Sequence, residues 1–280
     1  MTDQPDNSIT VSIVSYDSPV EELLAMLTSL SAALAALRNR DTQAELVICL
    51  IDNSEDNRLT LDQFSVLNDA LAAIGCEFKL LQGHGNIGYG AAHNLVINKC
   101  HTSKLLLINP DIIIQENSLT EGLQFLADNP DVSAVSPYAV HEDGSKQYLC
   151  KRYPSVLNFF LRGFLPGILR GLFHRRLSRF EMQDLTEDHP TTGVPIISGC
   201  FMLCRSDALK ILDGFDDNYF LYFEDFDLSL RLGKTTALAY LPTMKIVHRG
   251  GNSARKGIKH IRRFIISGKR FFSTHGWRWV

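Results

Sequence analysis

The chain has 280 residues, of which 45% are hydrophobic and 21% are charged, and these values exclude collagen, coiled coils and largely disordered proteins. Its length allows one large domain with a substantial core, and its formal net charge is only −3. The first eight residues are polar and acidic, so we expect no signal peptide, and the longest uncharged stretches are too short to span a membrane.

The first half of the sequence alternates predicted strands with predicted helices. Strands are expected at 9–15, 45–51, 77–82, 104–108 and 132–135, and helices at 21–37, 67–74, 90–99 and 119–127. This alternation, with near-continuous apolar strands, is typical of a mainly parallel sheet covered by helices. Ligands bind beyond the carboxyl ends of such strands. The polar residues at 15–17, 52–53, 83–90 and 109–111 are therefore expected on one rim.

The second half has a different character. In chain order it contains a basic apolar stretch at 151–180, a buried strand at 196–204, a short helix from Ser206, an aromatic and acidic segment at 214–232, strands at 237–241 and 245–248, and a basic amphipathic helix at roughly 256–275. No repeat or linker divides the chain. We expect one main domain, residues 1–250, with a C-terminal basic helical appendage, residues 251–280, in the same structural unit.

Positive charge is concentrated in two segments. Residues 151–180 carry seven basic side chains and residues 245–280 carry ten, and neither segment contains an acid. Both are rich in large apolar residues, a mixture that favours contact with an anionic lipid surface. The apolar contact would come from Phe264, Ile265, Phe271, Phe272, Trp277 and Trp279. A solvated basic face, or arginines that hold phosphates, would produce the same pattern.

The six cysteines are scattered, and four of them lie inside apolar runs. With no export signal, this pattern indicates free, mostly buried thiols in a reducing compartment. Cys200 and Cys204 lack the close spacing and the second ligand pair of a zinc site, so we expect no structural zinc.

The segment 83–88 has the pattern G-x-G-x-x-G, formed by Gly83, Gly85 and Gly88, and it lies between a predicted strand and a predicted helix. Asp111 follows the next strand, at about the spacing of the acid that binds a ribose hydroxyl in dinucleotide-binding folds. The pattern therefore allows an NAD site. A glycine-rich turn is the simpler alternative.

Two further polar features lie at predicted strand ends. Asn109-Pro110-Asp111 forms either a simple turn or an acid placed to meet a metal ion or a diphosphate. His248 ends a strand, where it is either a structural histidine or a metal or phosphate contact.

The acids Glu224, Asp225 and Asp227 lie within four residues and are surrounded by aromatic side chains. Such crowding favours pKa shifts that make a carboxylate a usable general base. Capping of the following helix explains one acid, but not three beside so many aromatic residues.

Seven segments together form a recognisable pattern. They are VSIVSYDS (11–18), IDNSED (51–56), GNIGYGAAHN (85–94), LLLINPDI (105–112), ISGCFMLCR (197–205), GFDDNYFLYFEDFDLSLRL (214–232) and VHRGGNS (247–253). Through their order and spacing, the chain resembles family 2 glycosyltransferases with the GT-A fold, particularly their bacterial rhamnosyltransferase branch, over nearly its whole length.

The resemblance implies an α/β enzyme with a Rossmann-like, mainly parallel sheet flanked by helices. Such an enzyme moves a sugar from a nucleoside diphosphate to an acceptor hydroxyl, with inversion at the anomeric carbon. The implied donor is dTDP-rhamnose, and the implied acceptor is a lipid-linked glycan used in surface polysaccharide synthesis. The expected location is the cytoplasm, peripheral on the inner face of the cell membrane, with no nucleic-acid partner.

The resemblance also implies roles for individual residues. Asp225 matches the catalytic base, with Gly199 and Glu224 on the acceptor side. The donor-binding residues would be Ser15, Tyr16, Asp17, Asp52, Asn53, Gly88, Asn94, Asn109 and Asp111. A divalent metal, Mg²⁺ or Mn²⁺, would contact Asp111 and His248.

The sequence departs from the family pattern at two positions. The metal motif has one acid, Asp111, where many relatives have two, and Asp17 replaces a common Asn. Two alternative functions stay open. One is an NAD-dependent oxidoreductase that uses the glycine-rich segment, and the other is a non-catalytic sugar-nucleotide binder.

Overall fold

A computed structural model describes residues 6–164, 171–250 and 257–280. The strands are β1 (Ile9–Ser15), β2 (Leu46–Asp52), β3 (Cys76–Leu81), β4 (Lys104–Ile108), β5 (Ile112–Ile114), β6 (Val132–Val140), β7 (Lys146–Gln147), β8 (Cys150–Lys151), β9 (Thr191–Thr192), β10 (Ile196–Ile197), β11 (Phe201–Arg205) and β12 (Ala237–His248). The helices are α1 (Val20–Arg40), α2 (Ser65–Ala73), α3 (Tyr89–Ile97), α4 (Ser118–Asp128), α5 (Val156–Phe164), α6 (His174–Phe180), α7 (Ser206–Ile211), α8 (Glu224–Leu232) and α9 (Ile258–His275).

The central sheet has the strand order β3-β2-β1-β4-β11-β6-β12-β5. The first four strands in that order are parallel, as the alternating pattern of the first half predicts. β11 pairs antiparallel with both β4 and β6, and β5 pairs antiparallel with β12. The α/β fold class is confirmed, but the second half of the sheet is mixed. Antiparallel neighbours do not need the helical crossover that parallel strands require, so the strand-helix rhythm fades there.

The strand predicted at 196–204 is interrupted. Its first part, β10, pairs with β8 in a separate two-stranded ribbon, whereas β11 belongs to the central sheet. Residues 198–200 make the transition between the two sheets. A continuous apolar run cannot reveal such a break, because both parts are buried.

Helix α1 packs one face into the core. Its buried side chains are Leu23, Met26, Leu27, Leu30, Ala33, Leu34 and Leu37. By length and composition alone α1 also meets the criteria for a membrane-spanning helix. In this fold its apolar stripe packs against β5, α2 and α4. All six cysteines are free and buried, as predicted.

The C-terminal helix α9 packs onto the segment before α8. Phe271 and Phe272 are buried with Tyr219 and Phe223, and we call these four side chains the aromatic cluster. The prediction that both phenylalanines contact lipid is therefore wrong, because the helix turns this face inward. The predicted boundary at 250/251 and the start of the helix at 256 fall at residues 251–256, outside the described residues.

Candidate active site

Asp225 lies in the first turn of α8. The two residues before this helix, Tyr222 and Phe223, have φ angles of 72° and 66°, which residues other than glycine rarely adopt. Phe223 is held in this conformation by burial in the aromatic cluster, where its ring lies 5.3 Å from that of Phe271. The turn directs Glu224 and Asp225 towards the protein interior.

Two backbone N–H groups hold the Asp225 carboxylate, one at each oxygen. Gly199 donates to Oδ2 and Phe226 donates to Oδ1, both at 2.9 Å. Gly199 lies in the break between β10 and β11, and a Cβ at this position would lie 3.1 Å from the Cβ of Asp225. The break in the strand therefore presents an N–H group to the acid, and the glycine permits the close approach.

Asp225 and Glu224 form a coupled pair of carboxyl groups. Burial raises the pKa of Asp225, although the two N–H bonds and the charge of Lys151 act in the opposite direction. Burial and the neighbouring Asp225 charge raise the pKa of Glu224 well above its ordinary value, and Glu224 is only 6% exposed. Within the pair, Glu224 therefore holds a proton more readily than Asp225. An ionised carboxylate with a raised pKa is suited to accept a proton.

The third acid of the cluster, Asp227, has a structural role. Its Oδ2 accepts a hydrogen bond from Arg231 at 2.7 Å, and its Oδ1 lies 2.8 Å from His275 Nε2. The first contact lies within α8, and the second fastens α8 to the end of α9. The cluster therefore divides into a pair of acids at the site and one acid that holds the C-terminal helix.

Asp111 and His248 are neighbours at the carboxyl ends of β4 and β12. Asp111 Oδ1 lies 3.5 Å from His248 Nε2. Gln147 fixes the histidine: its Nε2 donates to the His248 carbonyl at 2.9 Å, so its Oε1 faces His248 Nδ1 at 2.7 Å. Nδ1 therefore carries the proton in the neutral ring, and the lone pair of Nε2 faces Asp111. Sequence reasoning missed Gln147, which lies 101 residues from His248.

This pair fits a divalent cation. Asp111 Oδ1 is buried and has no hydrogen-bond partner among the described residues, so a carboxylate oxygen and an imidazole lone pair face each other. A Cβ at Gly250 would lie 1.8 Å from Asp111 Oδ2, so only glycine leaves room for the carboxylate. No group of three or more His, Cys, Asp or Glu side chains within the described ranges is placed to hold a metal. Further ligands would have to come from a diphosphate or water.

The segment 199–200 connects Asp225 with Asp111. While the Gly199 N–H bonds Asp225, the Cys200 carbonyl accepts a hydrogen bond from the Asn109 N–H at 2.9 Å. Burial is the main cause of the raised pKa of the Cys200 thiol, and the charges of Asp111 and Asp225 both raise it further. The predicted base and the predicted metal motif therefore both contact one short segment.

Three predicted donor-binding residues lie where β1 ends. Ser15 is buried, and Tyr16 is exposed. Asp17 has a φ of 52° and forms an ion pair with Arg58 at 3.4 Å. Asp and Asn both adopt the left-handed region more readily than most residues, which explains why Asp is accepted where many relatives have Asn.

Two predicted donor-binding residues, the last of β2 and the one that follows it, form hydrogen bonds within the protein. Asp52 is fully buried and accepts hydrogen bonds from the N–H groups of Ser54 and Leu59, both at 3.1 Å. Asn53 donates to the Gly88 carbonyl at 3.2 Å. These residues shape the rim, and their polar atoms are directed towards the backbone of the protein.

Asn94, another predicted donor-binding residue, also forms hydrogen bonds within the protein. Its side chain accepts a hydrogen bond from the Phe215 N–H at 2.9 Å and donates to the Phe215 carbonyl at 2.8 Å. A Cβ at Gly214 would lie 2.2 Å from the Asn94 oxygen. Asn94 thus anchors the start of the acidic segment that leads to Asp225.

Where the glycine-rich loop meets α3, three consecutive N–H groups are already engaged and are not free for a pyrophosphate. The N–H groups of Ile87, Gly88 and Tyr89 already bond to protein oxygens, at 3.2, 3.2 and 3.1 Å. A Cβ at Gly88 would lie 2.5 Å from the Phe220 carbonyl oxygen. The loop packs against the acidic segment and follows β3, at the edge of the sheet. This geometry opposes the NAD interpretation.

No family profile matches the sequence. Two bacterial proteins are similar to it. N-acetylglucosaminyl-diphospho-decaprenol L-rhamnosyltransferase of Mycobacterium tuberculosis is 28% identical over 189 residues, which cover 62% of this chain and 60% of that protein. Rhamnosyltransferase WbbL of Escherichia coli K12 is 28% identical over 173 residues, which cover 57% of this chain and 61% of that protein. The chain thus matches about three fifths of the length of these relatives.

Solved structures of low sequence identity share the fold. GalNAc-T7, crystallised with UDP, GalNAc and Mn²⁺, superposes with a TM-score of 0.62 at 13% identity, covering 96% of this chain and 51% of that one. S. aureus TarS 1–349 in complex with UDP gives a TM-score of 0.54 at 14% identity, covering 93% and 65%. These comparisons confirm that the chain has the GT-A fold and that its sequence is similar to bacterial rhamnosyltransferases.

Proposed function

We propose that this chain is an inverting glycosyltransferase that moves a sugar from a nucleoside diphosphate to a hydroxyl of a lipid-linked glycan. One observation carries the proposal: a half-buried carboxylate, Asp225, and a cation-binding pair, Asp111 and His248, are connected by the segment 199–200, whose Gly199 N–H bonds Asp225 and whose Cys200 carbonyl bonds Asn109. Transfer of a sugar requires a base on the acceptor side and positive charge on the leaving-group side, and this arrangement provides both.

Asp225 acts on the acceptor. As its carboxylate takes the proton from the acceptor hydroxyl, the oxygen attacks the anomeric carbon, and the bond from that carbon to the diphosphate breaks. The electron pair of the broken bond leaves with the nucleoside diphosphate. The Gly199 N–H fixes the carboxylate, and burial raises the pKa of the neighbouring Glu224, which favours its neutral form and so avoids a second charge.

On the donor side, Asp111 and His248 would hold a divalent cation, with Gln147 fixing the histidine tautomer. Such a cation would supply positive charge against the departing diphosphate. The exposed Tyr16 and Asp17 at the end of β1 are the residues best placed to meet the nucleoside.

The named relatives favour L-rhamnose as the sugar and a lipid-linked N-acetylglucosaminyl diphosphate as the acceptor. The resemblance of the motifs adds dTDP as the carrier of the sugar and surface polysaccharide synthesis as the role. The alternative of a non-catalytic binder is disfavoured because Asp225 is held in a conformation suited to a base. An oxidoreductase is disfavoured because the N–H groups of Ile87, Gly88 and Tyr89, where the loop meets α3, already bond to protein oxygens.

We place the protein in the cytoplasm, peripheral on the inner face of the cell membrane. The exposed face of α9 mixes isoleucines with cations, namely Lys259, Ile261, Arg262, Ile265, Ile266 and Lys269. Other cations of the C-terminal segment are used within the protein, since Arg270 pairs with Asp216 and Arg263 lies over the Phe220 ring. Contact with lipid would therefore depend on these six residues and on Trp277 and Trp279.

The proposal is tested by titration and transfer together. The purified chain is titrated with dTDP, UDP, GDP and NADH, and is then incubated with dTDP-rhamnose and a lipid-linked N-acetylglucosaminyl diphosphate. We expect dTDP to bind and rhamnose to appear on the acceptor. Tight NADH binding without nucleotide-sugar binding would restore the oxidoreductase, and donor binding without transfer to any acceptor would favour the non-catalytic binder.

A further inference from the structure

A cavity of about 370 Å³ lies between the residues before α5, the helix α6 and residues 278–280. Its volume is within the usual range for small-ligand sites. Five arginines line it: Arg152, Arg175, Arg176, Arg179 and Arg278. None of the residues predicted to bind the donor or the metal, or to act as the base, is among its lining.

The positive charge of this arginine cavity is poorly neutralised. Within the described ranges, Arg152 is the only one of the five that forms an ion pair, with Asp184 at 2.6 Å. Arg176 is held by neutral groups: Nε donates to Asn158 Oδ1 at 2.7 Å and Nη2 donates to Ser155 Oγ at 2.8 Å. Ser155 and Asn158 are only 1% and 6% exposed. The guanidinium is thus oriented by buried acceptors and keeps its charge, as a site for an anion requires.

The cavity lies close to the acceptor side of the candidate active site. Phe180 lines the cavity and contacts the Phe159 ring at 5.9 Å, and Phe159 in turn contacts Phe223, in the strained turn before Glu224, at 4.9 Å. A second connection runs through the backbone, because Lys151, whose charge lowers the pKa of Asp225, directly precedes Arg152. Two aromatic rings, those of Phe180 and Phe159, therefore connect the cavity with Phe223 in the turn before the base.

Apolar surface adjoins the cavity. Trp277 and Trp279, on either side of Arg278, stack at 5.1 Å and are 47% and 63% exposed. Leu172, just before α6, is also largely exposed. A ligand with an anionic group in the cavity would therefore find apolar side chains for a hydrocarbon chain at its edge.

We propose that the arginine cavity binds the diphosphate group of the lipid-linked acceptor and so places its sugar at Asp225. This assignment deepens the proposed function and rests on it. The arginines would bind the diphosphate, and the exposed tryptophans would contact the lipid chain. The aromatic contacts to Phe223 would set the position of the sugar relative to the base. The donor diphosphate binds elsewhere, at Asp111 and His248.

The test compares Arg176→Gln and Arg179→Gln with Arg40→Gln, which removes an exposed arginine at the end of α1. Binding of farnesyl diphosphate, farnesol and inorganic pyrophosphate is measured by calorimetry, without any sugar transfer. We expect each cavity variant to bind farnesyl diphosphate about 10-fold more weakly, the value for loss of one charge-assisted hydrogen bond to phosphate. Arg40→Gln should match the wild type, and farnesol should bind weakly to all variants.

Transfer kinetics form the second arm. In the cavity variants, the KM for an acceptor that contains diphosphate should rise about 10-fold, whereas kcat and the donor KM should not change. The KM for an alkyl N-acetylglucosaminide, which lacks diphosphate, should be the same as in the wild type. Equal farnesyl diphosphate binding in all variants would overturn the assignment. So would an equal loss of binding to phosphatidylglycerol vesicles, which would indicate a general headgroup site. If farnesyl diphosphate binding follows the variants but no transfer occurs, the cavity assignment holds as an anion site and the proposed function fails.

Discussion

The substitution Asp225→Asn removes the proposed base while keeping the size of the side chain. A positioned general base contributes about 10²–10⁴-fold in rate, which corresponds to about 2.7–5.4 kcal/mol of activation free energy. We expect kcat to fall by this factor. The donor Kd should change little, because Asp225 bonds Gly199 and lies on the acceptor side of the segment 199–200.

The structure also gives the expected cost for folding. The carboxylate accepts one N–H bond at each oxygen, from Gly199 and from Phe226, whereas an amide has one acceptor oxygen. Leaving one buried N–H group without a partner costs about 1–3 kcal/mol. Removal of a buried charge offsets part of this cost, because burial raises the pKa of Asp225. We therefore expect a folded protein with a modestly lower Tm.

The assay measures kcat by product formation, donor Kd by calorimetry and Tm by thermal denaturation on the same samples. Asp227→Asn is the matched control, since it removes an acid two residues away that binds Arg231 and His275. That variant should lose stability but keep kcat once folded. Near-wild-type turnover in folded Asp225→Asn would refute Asp225 as the base, and loss of donor binding would move it to the donor side.

Four further outcomes are expected. The wild-type kcat should decline on the acid side at a higher pH than an ordinary aspartate would give, because the pKa of Asp225 is raised and its protonated form is inactive; a pH-rate profile measures this. In the wild type, the raised pKa keeps Glu224 protonated in the folded chain, whereas the same side chain ionises in the unfolded chain. The wild-type free energy of unfolding should therefore fall as the pH rises above the ordinary Glu value. Glu224→Gln removes this titration and should make the fall smaller. Thermal denaturation across pH tests it, and identical pH slopes would contradict it. Asp111→Ala should weaken donor binding about 10-fold or more with Mg²⁺ or Mn²⁺ present, and His248→Ala less so; wild-type affinity that is indifferent to EDTA would refute the metal assignment. Binding to liposomes should rise with anionic lipid, fall with salt and drop on removal of residues 257–280, as flotation would measure.

Much of the fold is predictable from local pattern. The strands 9–15 and 104–108 were predicted at the observed bounds, because an apolar run between polar turns is a local signal. The polar ends of β1, β2 and β4 also follow from it, since the carboxyl ends of parallel strands meet at one edge. The resemblance to a family added what spacing alone left open, namely that Asp225 was the acid to single out from three.

What the sequence did not reveal depends on contacts between distant residues. Gln147 fixes His248 across 101 residues, and nothing in its own neighbourhood distinguishes it from an exposed glutamine. Asn94 matched a donor-binding position, but its polar atoms bond the backbone 121 residues away. Phe271 and Phe272 read as lipid-facing because a basic amphipathic helix has the same periodicity whichever side its apolar face packs against.

The anomeric configuration of the product tests the central claim most directly. If Asp225 acts as a base in a single displacement, the new glycosidic bond must have the configuration opposite to that of the donor, and NMR of the product formed from dTDP-rhamnose measures it. We predict complete inversion. Retention of the donor configuration would mean either a double displacement through a protein nucleophile or a front-side substitution. Neither is the single inverting displacement that a base at Asp225 implies, so retention would contradict this assignment.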